Sequence, residues 1–494
     1  MYTVVCYSGL MNKFIGSFLN SWNKYWYFYI LGLAVLFFLI YFVFYLNWGY
    51  GWDESVYLVH TDIFLGRQSI FNELAFRPIT ISLFIIPFYL ISKNIAFLHV
   101  VMLFCFCFAM FLLFVLLKKL FNSKVASVMV ALFCISPLIL STCQFVLTDI
   151  FVFVFIIPAI YFSYLFYDSK KSKFIIFASI LFALAFLTRF LCGIFILVIL
   201  LVILLDFRFK WLDIKLFCYR VFLCIITFVV IISPYFIFVK LRFGDFLHTI
   251  VAGRLLVNFY DAPWYVYITN IITLWPVFLI FGLVGVYYLY KSKFFMAFND
   301  KLKNYNLEKF VFVLFIVFIL QFIYLGITPH KEPRYTISLI LPFSIVGAYG
   351  CYKFLAFLKV QSQRKIVLLK KLLLFCFGLA IVLGSVVFIT FCVKYPTDNF
   401  NVGMKPIDYL QNNDFNGKLY VNSDVPQYFY LFNNNEVINL YYYNLNNLNY
   451  KVLFDEQGIF VYNTYNVMDL NNLPVTLVPI KEIFPYIIYD VKIN

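Results

Sequence analysis

The chain has 494 residues, 64% of them apolar and only 12% charged, with a mean hydropathy of +0.92. A soluble chain is roughly half apolar and about a quarter charged, so this composition excludes a water-soluble globular protein, and a disordered or fibrous one as well. The net charge of +15 comes without a basic stripe interleaved with base-stacking aromatics, which sets nucleic acid aside and points to basic residues that mark cytoplasmic loops.

Apolar runs recur at lengths near those a helix needs to cross about 30 Å of hydrocarbon. In chain order they predict spans at 28–46, 97–117, 125–145, 150–167, 174–188, 191–205, 217–239, 265–290, 310–327, 335–357 and 368–392. The first run follows Lys13 and Lys24 without a small-residue cleavage site and reads as an uncleaved anchor with its N-terminal side in the cytoplasm. The stretch 79–92 is short and opens after Pro78, so it reads as an interfacial or re-entrant helix. Phe and Tyr number 66 and 39, too many for interfacial belts alone, so many must line helices within the bilayer. All the cysteines lie at or before Cys392 without a metal-type spacing and read as buried small hydrophobes.

Charge tests this count. Alternate connections carry the basic clusters Lys118/Lys119/Lys124, Lys170/Lys171/Lys173, Arg208/Lys210/Lys215/Arg220, Lys291 to Lys309 and Lys359 to Lys371, and the opposite side is sparse in Lys and Arg. That asymmetry favours eleven spans, N-terminus inside and C-terminus outside, in an integral plasma-membrane protein. Counting 79–92 as a twelfth span would put three basic clusters on the outer face.

After Cys392 the composition turns to Asn and Tyr. The expected organisation is a transmembrane domain over 1–393 and a small extracytoplasmic α/β domain over 394–494. Short helices are expected at Pro406 to Leu410 and Pro426 to Phe432. Strands are expected at Lys418 to Asn422, Glu436 to Leu440, Gly458 to Tyr462 and Ile487 to Ile493.

Ionisable side chains are costly at membrane depth, so clusters on one face are candidates for function. The topology puts four on the outer side. Trp52-Asp53-Glu54-Ser55 follows the first span, in a loop running on through Asp62, Arg67, Glu73 and Arg77-Pro78. A carboxylate there can act as general base on an acceptor hydroxyl, with Asp53 ahead of Glu54 because chain neighbours seldom face one site. The bland reading is a solvated loop with helix-capping acids. Leu147-Thr148-Asp149 follows the Ser136-Pro137 break; Asp149 reads equally as a helix cap or as support for catalysis. The loop Thr328-Pro329-His330-Lys331-Glu332-Pro333-Arg334-Tyr335 packs four ionisable residues into five positions. Arg334 can grip a phosphate through parallel N–H donors, aided by His330 or Lys331, with Glu332 orienting its basic neighbours; the competing reading is a snorkelling loop. Arg189, in Leu187-Thr188-Arg189-Phe190, is a phosphate ligand or a plain interfacial anchor.

These motifs resemble the polytopic GT-C glycosyltransferases. An outer Trp52-Asp53-Glu54, Arg77-Pro78 opening an interfacial helix, Ser136-Pro137 then Leu147-Thr148-Asp149, and Leu187-Thr188-Arg189 are similar to the protein O-mannosyltransferase and aminoarabinose transferase branch. His330-Lys331-Glu332-Pro333-Arg334 is similar to the His-Lys-Glu-x-Arg motif of lipid-linked mannosyltransferases. One Pro follows Arg77 where relatives often have two, and no His-Pro precedes the acid pair, so the acceptor class is not carried over.

The resemblance implies inverting transfer from a polyprenyl- or dolichyl-phosphate sugar to a hydroxyl of a glycan, lipid or protein acceptor. In that scheme Asp53 is the base, Asp149 supports it, and Arg334, His330 and Lys331 hold the donor phosphate, with Arg77, Arg189 and Tyr335 beside them. Some relatives use a divalent metal ion; Glu73 and His248 are the weak candidate ligands, and the cofactor stays unknown. The alternative is a transporter or flippase for lipid-linked sugars, which expects ionisable residues at mid-membrane and helices broken near its centre. A structural subunit would need no His330 to Arg334 loop.

Overall fold

The computed structural model describes residues 25–43, 52–66, 77–143, 145–207, 211–251, 263–274, 276–292, 306–328, 331–359, 409–410, 413, 418–422, 437–439, 458–463, 475–483 and 486–493. The chain divides into two compact units: Met1–Leu46 with Ala75–Thr80 and Val100–Val387, and Asn47–Leu74 with Ile81–His99 and Phe388–Asn494. The expected boundary at 393 and the expected span 368–392 lie outside the described residues, as does the helix expected at Pro426 to Phe432.

The first unit is a helical bundle. Among its described helices, α1 (Tyr25–Val43), α4 (Ile95–Leu120), α8 (Phe153–Ser169) extended by the short α7 (Thr148–Phe151), α11 (Trp211–Phe243), α14 (Asn306–Ile327) and α15 (Thr336–Lys359) are long and apolar enough to cross a membrane. This makes the chain an integral membrane protein, and six of the eleven expected spans are such helices among the described residues. α15 is the most enclosed of these spans, while α11 leaves most of its apolar surface open, as a lipid-facing helix does.

Three expected spans are interrupted. The run 125–145 divides into α5 (Ser123–Cys134) and α6 (Pro137–Thr142), because Pro137 has no N–H to continue the helix. The run 191–205 opens as a 3-10 turn, Phe190–Phe195, before α10 (Ile196–Asp206). The run 265–290 is two helices, α12 (Val266–Leu274) and α13 (Pro276–Lys291), with the segments Val266–Ile272 and Val277–Lys291 bent by 102°.

α8 and α9 (Lys173–Thr188) form an antiparallel hairpin whose turn is closed by Lys170 in the left-handed region (φ 61°), its N–H donating to Phe166 O. Charges gather at the two ends of this hairpin, about 25 Å of helix apart. At the turn, Asp206 takes Lys170 Nζ at 2.6 Å and Arg220 Nη1 at 2.5 Å. Tyr164 and Tyr167 meet Phe310 there, so the Glu308–Lys353 pair between α14 and α15 (3.1 Å) belongs to the same end. Asp149 and Arg189 flank the other end.

α13 packs on α15 through glycines. A methyl added at Gly285 would stand 2.2 Å from Val346 O, and one at Gly350 would stand 2.1 Å from Phe281 O. Small residues let two backbones approach this closely where no hydrophobic effect drives association.

The second unit contains α2 (Trp52–Phe64), most of α3 (Thr80–Ile91), the start of α4 and a five-stranded sheet. The sheet comprises β1 (Lys418–Asn422), β2 (Val437–Asn439), β3 (Gly458–Asn463), β4 (Val475–Ile483) and β5 (Tyr486–Ile493), in the order β2-β1-β3-β5-β4. β1 pairs in parallel with β2 and β3; β5 pairs antiparallel with β3 and β4. Consecutive residues of the inner strands are buried, Leu419 and Tyr420 in β1 and Ile459, Phe460 and Val461 in β3, as are Ile488 and Val491 of β5. Four strands lie where expected. The fifth, β4, was unexpected because it contains Pro479; it is an edge strand, and its register slips between Pro479 and Lys481, the setting in which a strand tolerates proline.

Candidate functional site

The first unit gathers arginines and tyrosines at one end of the α8–α9 hairpin. Asp149, in the first turn of α7, does not cap its helix, a place held by Leu147. Its buried carboxylate pairs instead with Arg189 Nη1. Arg189 ends α9 with extended backbone, its N–H still donating to Ala185 O at 2.9 Å, so its side chain leaves the helix toward α15. There its guanidinium stacks 4.7 Å above the Tyr335 ring. Burial alone would lower the Arg189 pKa, but the Asp149 carboxylate, and then Tyr335, raise it, and the net direction is up. The cation is kept by its partners.

Tyr335 closes a 3-10 turn, Pro333–Tyr335, just before α15. Its N–H donates to Glu332 O at 3.1 Å, and Ser338 Oγ donates to its carbonyl at 2.9 Å. Arg334 pairs with Glu332 and lies 6.0 Å from the Tyr335 ring; Lys331 is buried in the same loop. Burial first, then the Glu332 carboxylate, push the Tyr335 phenol well above its ordinary value, so it remains an O–H donor.

The neighbouring helices hold this turn from below. Asn270 of α12 donates to Thr336 Oγ1 at 3.3 Å, and Gln321 of α14 donates to Ser338 Oγ at 2.9 Å. Tyr267, three residues before Asn270 and therefore on the same face of α12, is fully buried within electrostatic reach of Tyr335, Arg189 and Glu332. The bend between α12 and α13 supplies this placement, since α13 is fixed on α15 by Gly285 and Gly350 while α12 turns across the start of α15. Among the described residues, Arg189 Nε and Tyr267 Oη are buried without a hydrogen-bond partner. Buried donors without acceptors are uncommon in a folded protein and fit a site that receives an anion.

The second unit carries the acid-rich patch. α2 begins at Trp52 with Asp53 and Glu54 in its first turn, where the helix dipole favours carboxylates. Both side chains are buried. Glu54 Oε1 lies 2.9 Å from Nε2 of His99, near the start of α4, and neither side chain has any exposure. Further along α2, Thr61 Oγ1 donates to Tyr57 O (2.9 Å) and Ser82 O (3.2 Å), while Ser82 Oγ donates to Tyr57 O at 3.0 Å. Asp62 accepts from Tyr89 Oη at 2.8 Å and faces Lys93 Nζ at 3.8 Å.

Of the sequence candidates, Asp149, Arg189, Glu332, Arg334 and Tyr335 come together, with Lys331 in the same loop. Asp53 and Glu54 share the acid-rich patch. Arg77 is half-buried just before α3, as a residue opening that helix should be. His330, Arg67 and Glu73 lie outside the described residues. His248 stacks face to face on Phe243 at 4.7 Å, a packing contact. No group of three or more His, Cys, Asp or Glu able to hold a metal ion is found among the described residues.

Tyr267 and His99 were not foreseen. Tyr267 belongs to the tyrosine-rich run Tyr265-Val266-Tyr267, where nothing distinguishes it from an aromatic-belt residue. His99 did carry a signal. It is one of four histidines and stands inside an apolar run, where an ionisable group needs a partner.

Residues 77–237 match the family model of dolichyl-phosphate-mannose-protein mannosyltransferase. No curated protein matches the chain in sequence. Among solved structures, ArnT from Cupriavidus metallidurans bound to undecaprenyl phosphate is similar with a TM-score of 0.66 at 11% identity, over 94% of this chain and 98% of that one. The same protein in the apo state gives 0.61 at 10% identity, over 95% and 98%. The oligosaccharyltransferase of Archaeoglobus fulgidus, solved with zinc and sulfate, gives 0.50 at 15% identity over 83% of this chain and 62% of that one. The chain therefore has an ArnT-like fold, and about a third of its length matches the mannosyltransferase family model.

Proposed function

We propose that this chain is an inverting glycosyltransferase that moves a sugar from a polyprenyl- or dolichyl-phosphate donor to an acceptor hydroxyl on the extracytoplasmic face. The observation that carries the reading is the Arg189–Tyr335–Arg334 arrangement with the two buried donors, Arg189 Nε and Tyr267 Oη. An anionic phosphate supplies the acceptors these groups require, and guanidinium is the side chain best matched to it. ArnT, similar in fold over nearly its whole length, was solved with undecaprenyl phosphate, a ligand of the proposed class.

In the reaction, the Asp53 carboxylate takes the acceptor hydroxyl proton as the acceptor oxygen bonds to the anomeric carbon from the face opposite the phosphate. The bond from that carbon to the phosphate oxygen breaks, and its electron pair leaves with the lipid phosphate. Arg334 and Arg189, with His330 and Lys331 of the same loop, stabilise the charge that develops there; fixed cations in a water-poor setting contribute most at this step. Tyr335 and Tyr267 donate O–H bonds to the same oxygens. Asp149 keeps Arg189 charged and oriented. A divalent metal, if one takes part, has no ligand group among the described residues.

The transporter reading expects charge at mid-membrane. Within the bundle the described ion pairs sit at its two ends, which favours an enzyme; the interrupted helices, α12–α13 among them, are a feature a transporter would share. A transfer assay in membranes with radiolabelled polyprenyl-phosphate sugars tests the proposal. Asp53→Asn is expected to abolish transfer while the protein still inserts and retains donor, and Arg334→Ala to weaken donor use. Full activity in both variants discards the mechanism.

A further inference from the structure

Asp53 and Glu54 are consecutive on a helix, so their side chains leave α2 about 100° apart and cannot serve one point in space. The geometry separates their work. Glu54, Thr61 and Tyr57 project within one arc of α2. This face is bonded on all sides: Glu54 to His99 at 2.9 Å, Thr61 to Ser82 O at 3.2 Å, and the Tyr57 carbonyl to Ser82 Oγ at 3.0 Å. Asp62, farther round the helix, is bonded to Tyr89 at 2.8 Å. Asp53 lies on the adjoining face. Three of these four contacts, from Tyr57 onward, bind α2 to α3. The Glu54–His99 contact fastens the first turn, where Asp53 sits, to the start of α4. The start of α4 is capped there, Asn94 Oδ1 accepting the Ala96 N–H at 2.8 Å.

We infer that Glu54 and His99 form a positioning pair that sets the roll of α2 and so the direction in which Asp53 presents its carboxylate. Neither residue touches substrate in this role. A turn of the helix by a single residue would exchange Asp53 for Glu54. Both members of the pair are sealed from solvent, so breaking the contact costs a buried hydrogen bond and the first turn is favoured in the rotation that keeps it. The inference rests on the assignment of Asp53 as base.

The test uses the full-length protein in membranes with radiolabelled polyprenyl-phosphate mannose, reading kcat and donor KM separately. His99→Gln keeps an N–H near the Nε2 position and is expected to retain kcat within about threefold. His99→Asn, equally polar but too short to reach Glu54, is expected to lose kcat by roughly a hundredfold with donor KM unchanged, the cost of a misplaced catalytic group. His99→Leu should match His99→Asn. A merely structural role would lower the melting temperature and the amount of active enzyme in both amide variants without separating them. Equal kcat in His99→Gln and His99→Asn, whether high or low, overturns the positioning role. Asp53→Asn is measured alongside: retained transfer there overturns the base assignment instead, so the two failures are told apart.

Discussion

The two polar patches are opposite in chemistry. The patch on α2, α3 and the start of α4 is rich in acids: Asp53, Glu54 and Asp62 against His99 and Lys93. It is held by hydrogen bonds between side chains and neighbouring helices. The patch around Tyr335 is rich in cations: Arg189, Arg334 and Lys331 against Asp149 and Glu332. It is held by backbone packing of α13 on α15 and by a tyrosine ring under a guanidinium. Carboxylates take up protons and guanidiniums stabilise anions. The sugar transfer proposed here needs one of each, and the difference predicts that the two patches fail differently when damaged.

The largest expected effect is at Arg189. Removing one partner of a buried ion pair strands the other, at about 3–5 kcal/mol. Arg189→Ala leaves Asp149 buried without its cation and removes the group stacked on Tyr335. A fall in melting temperature in detergent and a loss of donor use by about a hundredfold or more are expected. Arg189→Lys should restore little of either, because an ammonium cannot pair with Asp149 and lie flat on the ring together. Recovery by Lys would mean that charge alone matters, and the contrast between the patches would weaken.

Next come the glycines. Gly285→Ala and Gly350→Ala each drive a methyl into a carbonyl oxygen of the facing helix, so α13 and α15 must separate. Overpacking of this kind costs about 1–3 kcal/mol. The separation would carry α12 away from the start of α15, with Tyr267 and Asn270. Donor KM is therefore expected to rise in both variants, although neither glycine belongs to the patch around Tyr335. Gly326→Ala, with open space around it, is the control and should change neither quantity.

Much of this was legible in the sequence, for a physical reason. Spans are read from length and hydropathy, and a single-face cluster such as Lys331 to Arg334 is conspicuous because charge is scarce. What escaped depends on contacts between distant segments. The Pro137 break was visible, but the 102° bend between α12 and α13 was not, since Trp275-Pro276 fits an unbroken apolar run as well as a bent one. Asp149 could have capped its helix; only the fold brings Arg189 to it. Strand β4 was hidden by Pro479, which is acceptable solely because the strand ends up at an edge.

A smaller effect separates ring from hydroxyl at Tyr335. Tyr335→Leu removes the aromatic face under Arg189, a contact worth about 1–2 kcal/mol when shielded from water. Tyr335→Phe keeps that face and loses only the O–H. Phe is expected to hold the melting temperature of the wild type and to raise donor KM by a few-fold, whereas Leu lowers the melting temperature too. Equal behaviour of Leu and Phe would reduce Tyr335 to its hydroxyl.

The smallest effect is expected at the opposite end of the hairpin, where Lys170 pairs with Asp206. The Lys170 side chain is 41% exposed, and pairs this open contribute roughly 0–1 kcal/mol. Arg220 remains on Asp206 when Lys170 is changed, so no buried charge is stranded. Two variants separate the ion pair from the backbone. Lys170→Ala loses the ammonium and keeps a non-glycine residue at φ 61°, while Lys170→Gly loses the ammonium but relieves that left-handed conformation. The Gly variant should therefore melt no lower than the Ala variant, and both should transfer sugar within about twofold of wild type, as expected of an exposed pair. A donor-use defect in Lys170→Ala comparable to that of Arg189→Ala would mean that charge at either end of the bundle serves the lipid phosphate, and the assignment of anion binding to the Tyr335 end would have to be given up.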